Sequence, residues 1–403
     1  MKNDTILSEI RVLDLSQYIA GPYTAKLLAD NGAEVIKVEP PGEGDIARKY
    51  GPFPNDIPDR ETSGLFLSLN TSKKGVTLDI TRDKGKEVFL NLVDKVDMLV
   101  ESFVPSFLPS LGLGYNDLSR LNPRLVMTSI TNFGQSGPYR EWEATEIGFQ
   151  ASGGLMTITG EPRRPPLKVG IPLAQYLSGL TGFTSTLAAV FHAQNTGEGQ
   201  HVDIAICEAI PPNIDDRALA WSLDYSEKPL WSRTGERRGP LIGIYQCQDG
   251  FIGCTIPNFS YLKRLADTIS PELANEKRFG DYFWGWTCNP EELEAVLVPW
   301  FYEHKRQELM DMAQSKGLPW GYVATIQDVA ESNPHLKERG SLIDLEHPKA
   351  GKQPYFIPCN RFSGIKCRMF AAPLLGQHNK EIFNNLLGMS DDELAELASE
   401  GII

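Results

Sequence analysis

The chain has 403 residues. At about 150 residues per domain that suggests two to three domains, and it is long enough to bury large cores without disulfide or metal staples. Lys and Arg number 39 against 52 Asp and Glu, a net charge of −13. This acidity counts against a nucleic-acid binder, which needs a basic face to displace counterions, and against a polybasic membrane anchor. Six cysteines (Cys207, Cys247, Cys254, Cys288, Cys359, Cys367) show no CxxC and no framework spacing, so buried reduced thiols in a cytoplasmic protein are expected. Met1–Ile10 lacks the apolar stretch of a signal peptide, and no run of about 18 apolar residues could form a transmembrane helix. The six histidines (His192, His201, His304, His335, His347, His378) include no HxxxH pair, so no metal site is expected.

In chain order, Val12–Leu15 reads as a strand and Ala20-Gly21-Pro22 as a turn. Thr24–Asn31 follows as a helix stopped by Gly32. Glu34–Val38, Val76–Ile80, Met98–Val100 and Leu125–Ser129 read as further strands. Lys84–Lys95 and Tyr115–Asn122 read as helices between them. Such alternation predicts an α/β fold with a parallel sheet covered by helices. Tyr176–His192 reads as a helix, its Gly and Ser residues permitting close packing, and His201–Ile206 as a strand after the Thr196–Gln200 turn. Composition changes near residue 220, since six of the seven tryptophans fall between Trp221 and Trp320. A hairpin is predicted from Ile244–Cys247 and Phe251–Thr255 around Gln248-Asp249-Gly250. Tyr261–Thr268 and Pro290–Glu308 read as helices of a smaller α+β domain, and Ile326–Ser332 as the start of a return segment. Ser390 with Glu393 forms a capping box for the last helix.

Four features could carry chemistry. The Ala20-Gly21-Pro22 turn with Glu39 resembles a nucleotide-binding start, but GxGxxG is absent and Pro22 lacks a backbone donor. Asn70–Gly75 is a polar, basic loop that could hold phosphate or be a solvated turn. Asn132–Tyr139 is a glycine-rich loop, either a cleft wall or a connection; Ser136 is not within GxSxG. Glu143 and Glu146 precede an apolar stretch, as general acid/base candidates or helix-start carboxylates. Unaided, these residues give an acidic α/β protein with a cleft and no reaction.

The run VLDLSQYIAGPYTAKLLADNGAEVIKVEPPGEG (12–44) resembles the opening of the family III CoA-transferases. So do LNTSKKGVTLDI (69–80), LGLGYNDLSRLNPRLV (111–126), GQSGPYREWEATEIGFQASGGLM (134–156), NTGEGQHVDIAICEA (195–209) and the tail from Ala372. The likeness spans essentially the whole chain. It implies a Rossmann-like large domain with a parallel sheet, built from about 1–215 and a C-terminal return at 330–403. A smaller α+β domain would span 225–325, each ring-like chain interlocking with a second in a dimer. It implies transfer of CoA from an acyl-CoA to a carboxylic acid. An Asp carboxylate attacks the thioester carbonyl to form a mixed anhydride, and CoA thiolate then exchanges through covalent intermediates. CoA thioester would be substrate, with no tightly bound cofactor and no metal.

The position of that Asp, set without gaps between Pro166-Leu167 and the 196–200 turn, is Gln175. An amide is a feeble nucleophile, because its nitrogen lone pair is delocalised and its oxygen is neutral. No Asp or Glu lies within 171–186 to replace it. The expected CoA cleft of this chain (Ile19, Ala20, Ser102, Phe103, Val104, Ser110, Glu143, Glu146) is degenerate. Ser102–Ser106 lacks the family's Asn, basic residue and Gly. Ser110 and Glu143 stand where the formyl-CoA transferase branch has basic CoA contacts, and Glu146 retains an acid. A racemase reading fails because no His precedes His192. The resemblance is greatest to the Asp-lacking subunits of heteromeric transferases that move CoA from succinyl-CoA to an aryl-succinate such as (R)-benzylsuccinate, in anaerobic toluene degradation. A catalytically silent subunit is therefore expected, partnered by an Asp-containing paralog to whose cleft Arg233, Gly239, Tyr245 and Asn258 would contribute. The alternatives are an active homodimeric transferase with another nucleophile, and an acyl-CoA sensor without chemistry.

Overall fold

Short aliphatic runs form the strands β1 (Arg11–Asp14), β2 (Glu34–Glu39), β3 (Lys74–Thr77), β4 (Met98–Glu101), β5 (Val126–Thr131) and β6 (His201–Ala205). They pair in parallel in the order β3-β2-β1-β4-β5-β6, so the direction of strand addition reverses between β1 and β4. The helices between them are α1 (Ala20–Asp30), α2 (Gly64–Leu69), α3 (Asp83–Val93), α4 (Phe107–Ser110), α5 (Tyr115–Leu121), α6 (Glu146–Ser152) and α7 (Leu173–Thr196). This computed structural model describes residues 5–160, 164–214, 222, 243–255, 259–269, 290–365 and 368–403.

Successive strand residues face opposite sides, and both sides are buried, as parallel sheets require. Leu13, Ile36, Val76, Leu99 and Met127 pack on one face with α3, α5 and the C-terminal helices α12 (Asn379–Leu387) and α13 (Asp391–Ser399). Val12, Val35, Met98, Val100, Val126 and Ile130 pack on the other with α1, α6 and α7. The glycines of α7 serve close approach. A Cβ on Gly179 would sit 2.7 Å from the Ala20 carbonyl oxygen, and one on Gly182 would sit 2.6 Å from Thr24 Oγ1. Thr24 Oγ1 uses this proximity to donate to the Gly179 carbonyl at 2.9 Å.

The chain separates into two compact units, Met1–Leu219 with Leu336–Ile403, and Ala220–His335. In the first unit, β10 (Leu342–His347) and β11 (Gly351–Phe356) form an antiparallel hairpin. The return is tied to the sheet by polar contacts: Gly75 N–H donates to His378 Nδ1, and Thr77 N–H to Asn379 Oδ1. The Ser390–Glu393 capping box is present on α13. In the second unit, β7 (Gly243–Cys247), β8 (Gly250–Cys254) and β9 (Gly321–Tyr322) form an antiparallel sheet. It carries α8 (Phe259–Ile269), α9 (Pro290–Tyr302) and α10 (Arg306–Ser315); a π-helical turn at Asp328–Ser332 and α11 (Pro334–Glu338) follow.

Four expectations are corrected. Helix α1 begins four residues before Thr24, with Pro22 in its first turn, where a missing N–H costs nothing. The single helix expected over 290–308 is two, because the chain turns at Glu303–Lys305 and Asp249 Oδ1 accepts the Arg306 N–H that starts α10. The segment Ile326–Ser332 belongs to the second unit rather than to the return. Of the thiols expected to be buried, Cys247 and Cys254 are, Cys207 is half-buried and Cys359 is exposed, all four free; Cys288 and Cys367 lie outside the described residues. Among the described residues no helix is long and apolar enough to cross a membrane, and no group of metal-ligating side chains converges.

Candidate active-site region

The reversal of strand order places a crevice at the carboxyl ends of β1 and β4, where open α/β sheets bind ligands. The two loops are latched, since Gln17 N–H donates to Ser102 Oγ at 2.8 Å. Ile19 and Ala20 lie beneath this surface, 2% and 3% exposed. Ser102 and Phe103 are half-buried, and the Phe103 ring lies tilted against Phe107, with centroids 4.7 Å apart. Val104 and Ser110 are exposed, and the Ser110 hydroxyl is turned back onto the Phe107 carbonyl at 2.7 Å. Ser106 Oγ donates to Glu141 Oε2 at 2.9 Å, which joins the β4 loop to the segment carrying exposed Glu143. Arg140, on the same segment, pairs with Glu141 at 3.4 Å.

Gln175 lies in the first turn of α7 and is 5% exposed. Its side-chain amide makes no hydrogen bond among the described residues. Glu146, the first residue of α6, reaches the start of α7: Oε1 accepts Ala174 N–H at 2.9 Å, and Oε2 accepts Gln175 N–H at 3.4 Å. Gln150, one turn on, donates to Glu146 Oε1 at 2.7 Å and accepts Val169 N–H at 2.8 Å. The Glu146 carboxylate is therefore both a helix-start residue and the acceptor for the N-terminus of α7, with its charge placed favourably for the helix dipole. Tyr18, at φ +72° in the β1 loop, has its phenol held above the usual range by burial, then by Tyr50 and Glu146, which places the Glu146 charge near that loop.

The other candidates resolve differently. Asn70–Gly75 neither offers phosphate donors nor forms a solvated turn. Lys73 is 3% exposed and donates to Asp14 Oδ2 at 2.8 Å, to the Pro22 carbonyl and to Asn70 Oδ1 at 2.9 Å. Burial pulls its ammonium down to about 8, against the opposing pull of Asp14. Glu39 is unavailable to a ribose, because Arg48 holds both its oxygens at 2.6 and 2.8 Å. In the glycine-rich loop, Tyr139 and Trp142 stack at 4.0 Å and Gln135 N–H donates to Asp203. Tyr245 is a core residue of the second unit, its hydroxyl donating to Glu294 at 2.5 Å. Arg233, Gly239 and Asn258 lie outside the described residues.

Sequence reasoning missed the Gln17–Ser102 latch, the role of Gln150 and the buried ion cluster of Asp14, Lys37, Asp45 and Lys73. For part of the last a signal existed: Asp14 and Lys37 are charges within otherwise apolar strands.

Residues 7–379 match the profile of CoA-transferase family III. The chain belongs to this family. A succinyl-CoA–D-citramalate CoA-transferase of Chloroflexus aurantiacus is 35% identical over 98% of both chains. The beta and alpha subunits of the succinyl-CoA–L-malate CoA-transferase of the same organism are 30% and 32% identical over 98% of this chain, and over 98% and 87% of their own lengths. The crystal structure of a CAIB/BAIF family protein from Brucella suis superposes with a TM-score of 0.81 at 29% identity, covering 95% of this chain and all of that one. The α/β fold with its parallel sheet is thus the fold of the family, whose similar members transfer CoA between succinyl-CoA and carboxylic acids.

Proposed function

We propose that this chain is a catalytically silent subunit of a heteromeric, succinyl-CoA-dependent family III CoA-transferase acting on an aryl-succinate such as (R)-benzylsuccinate. The observation that carries this reading is Gln175. The first turn of α7 presents an amide at the position where the family resemblance expects the nucleophilic carboxylate. Glu146, the acid beside it, is committed to backbone N–H groups and to Gln150. A carboxylate oxygen can attack a thioester carbonyl and yield an anhydride, whereas an amide oxygen cannot do so at a useful rate. Val104, Ser110 and Glu143 add to this, because none of the three offers a cation to a polyphosphate ligand.

The nucleophilic Asp would come from a paralogous subunit, with succinyl-CoA and the acceptor acid bound at that subunit's site. The malate transferase relatives, which carry alpha and beta subunits, support a two-chain plan. So does an open cavity of about 1420 Å³ in the first unit, lined by apolar residues of α1, α7 and the β10–β11 hairpin such as Leu27, Leu180, Phe183 and Phe356. Small-molecule sites run to about 1,000 Å³. A larger, open, mainly apolar hollow suits a protein partner, here the second chain of an interlocked dimer.

The test is covalent trapping. The two-subunit complex is incubated with succinyl-CoA and hydroxylamine, which converts an activated carboxylate to a hydroxamate, and each chain is mapped by peptide mass. The reading predicts modification of one Asp of the paralog and none of this chain. A hydroxamate on any carboxylate of this chain would overturn it.

A further inference from the structure

Helix α1 starts beneath the crevice without a cap. Ile19, at its N-cap, supplies no side-chain acceptor, and its first turn holds no acidic residue. The first N–H groups of a helix have no partner within it, and they form the positive end of its dipole. Pro22 has no N–H to offer, so Ala20 and Gly21 carry the donors of this turn.

Helix α7 runs alongside α1 in the same direction. Gly179 abuts the Ala20 carbonyl, and Gly182 abuts Thr24. Gln175 lies one turn before Gly179 on the same face of α7, and side chains on a helix tilt toward its N-terminus. The Gln175 amide is therefore directed at the start of α1. Gln175 is 5% exposed, yet its amide is unpartnered among the described residues and is not sealed from solvent. Buried polar groups are normally paired, so an amide in this state has donors free for a ligand.

We propose that the crevice of this chain binds the free carboxylate of a small organic acid, such as succinate, between the Gln175 amide and the N-terminal N–H groups of α1, and does not react with it. This rests on the reading of Gln175 as a replaced nucleophile, and it gives the silent chain a ligand of its own.

The change of side chain reverses what the position attracts. An Asp at 175 would set a like charge against an incoming carboxylate, whereas the neutral amide offers N–H donors to it. The helix terminus beside it is suited to an anion. The other charges at this end of the sheet are engaged. Glu146 accepts the Ala174 and Gln175 N–H groups and is bonded by Gln150. Below the β1 loop, Lys37 and Lys73 offset Asp14 and Asp45. The ligand is the free acid and not its CoA thioester, because Val104, Ser110 and Glu143 offer no cation to the CoA phosphates.

Equilibrium dialysis of the purified full chain against radiolabelled succinate tests this. The wild type should bind a single succinate per chain, saturably. Gln175→Met keeps the length of the side chain and has no donor. It should weaken binding about tenfold or more, the effect of losing a hydrogen bond to a charged group. Gln175→Glu, which places a like charge against the ligand, should abolish binding. Competition on the wild type keeps the test independent of how the variants fold: unlabelled succinate should displace the label, and neutral succinamide should not. No saturable binding by the wild type, binding unchanged in a folded Gln175→Met, or displacement by succinamide as effective as by succinate overturns the proposal. If succinate does not bind while hydroxylamine still marks only the paralog, this proposal fails and the silent-subunit reading stands.

Discussion

Replacing Glu146 by alanine removes the only side-chain acceptor that the described residues supply to the first turn of α7, since Pro172 at the N-cap offers none. Loss of a capping acceptor costs about 1 kcal/mol, and loss of a negative charge at a partly buried helix N-terminus costs about as much again. Gln150, fully buried, also loses the partner at 2.7 Å that fixes its amide. The expected destabilisation is about 2 kcal/mol, or a fall in Tm of roughly 4–6 °C for a unit of this size. Glu146→Gln keeps an oxygen acceptor and loses only the charge, so about half the effect should remain. Urea titration and thermal melts followed by circular dichroism measure both. A Glu146→Ala protein within about 0.5 kcal/mol of wild type, the range of neutral surface changes, would refute the assignment of this carboxylate to the α7 terminus.

Three further outcomes follow from the buried charges. Arg48→Ala strands Glu39, whose carboxylate is 0% exposed, and removes the guanidinium that also binds Glu61 and the Pro373 carbonyl; unfolding free energy should fall by about 3–5 kcal/mol, and a loss under 1 kcal/mol in denaturant titration contradicts the account. Burial lowers the imidazole of His347, whose Nδ1 accepts the Lys349 and Ala350 N–H groups. The unfolded chain therefore takes up a proton that the folded chain refuses as pH drops below about 6.5, so His347 makes folding weaker in acid. The stability difference between pH 7.5 and 5.5 should be smaller in His347→Gln than in wild type, and an equal or larger difference refutes this. Glu101 has the opposite sign: with its folded carboxyl at about 7 against an ordinary value of 4.5, the folded state binds the extra proton between them and loses that stability as pH rises. At about 1.4 kcal/mol per tenfold change in proton affinity this is about 3 kcal/mol. Glu101→Gln should thus gain on wild type between pH 5 and pH 8, and a constant difference across that range refutes it.

The order of strands and helices in the first unit was legible because its strands are buried on both faces and read as apolar runs. The glycines of the 176–192 helix announced a close packing contact, though not that α1 would make it. Gln175 stood out only through the family resemblance, which expects a carboxylate at that position. That Glu146 would be drawn to the backbone of α7 was not legible, because the contact spans 28 residues of sequence and depends on where the 169–172 segment runs. Lys73 looked like a solvated or phosphate-binding charge because a sequence does not display the partners, Asp14 and Pro22, that the fold brings to it from 59 and 51 residues away. The break after Tyr302 had the same cause, a cap supplied by Asp249 from the hairpin 57 residues earlier. The alignment of Glu101, Ser129 and Asp203 rests on register between parallel strands, which local pattern does not set.

Under the proposed function, this chain completes a transferase without performing the transfer. It is tested by the steady-state rate of succinyl-CoA-dependent CoA transfer to (R)-benzylsuccinate, by this chain purified alone and by the same chain co-expressed with a family III paralog that carries the Asp. The account predicts no turnover by the lone chain and full turnover by the pair, with the pair's activity abolished by replacing the paralog's Asp with Asn. Turnover by the lone chain, or a pair that survives loss of the paralog's Asp, contradicts it.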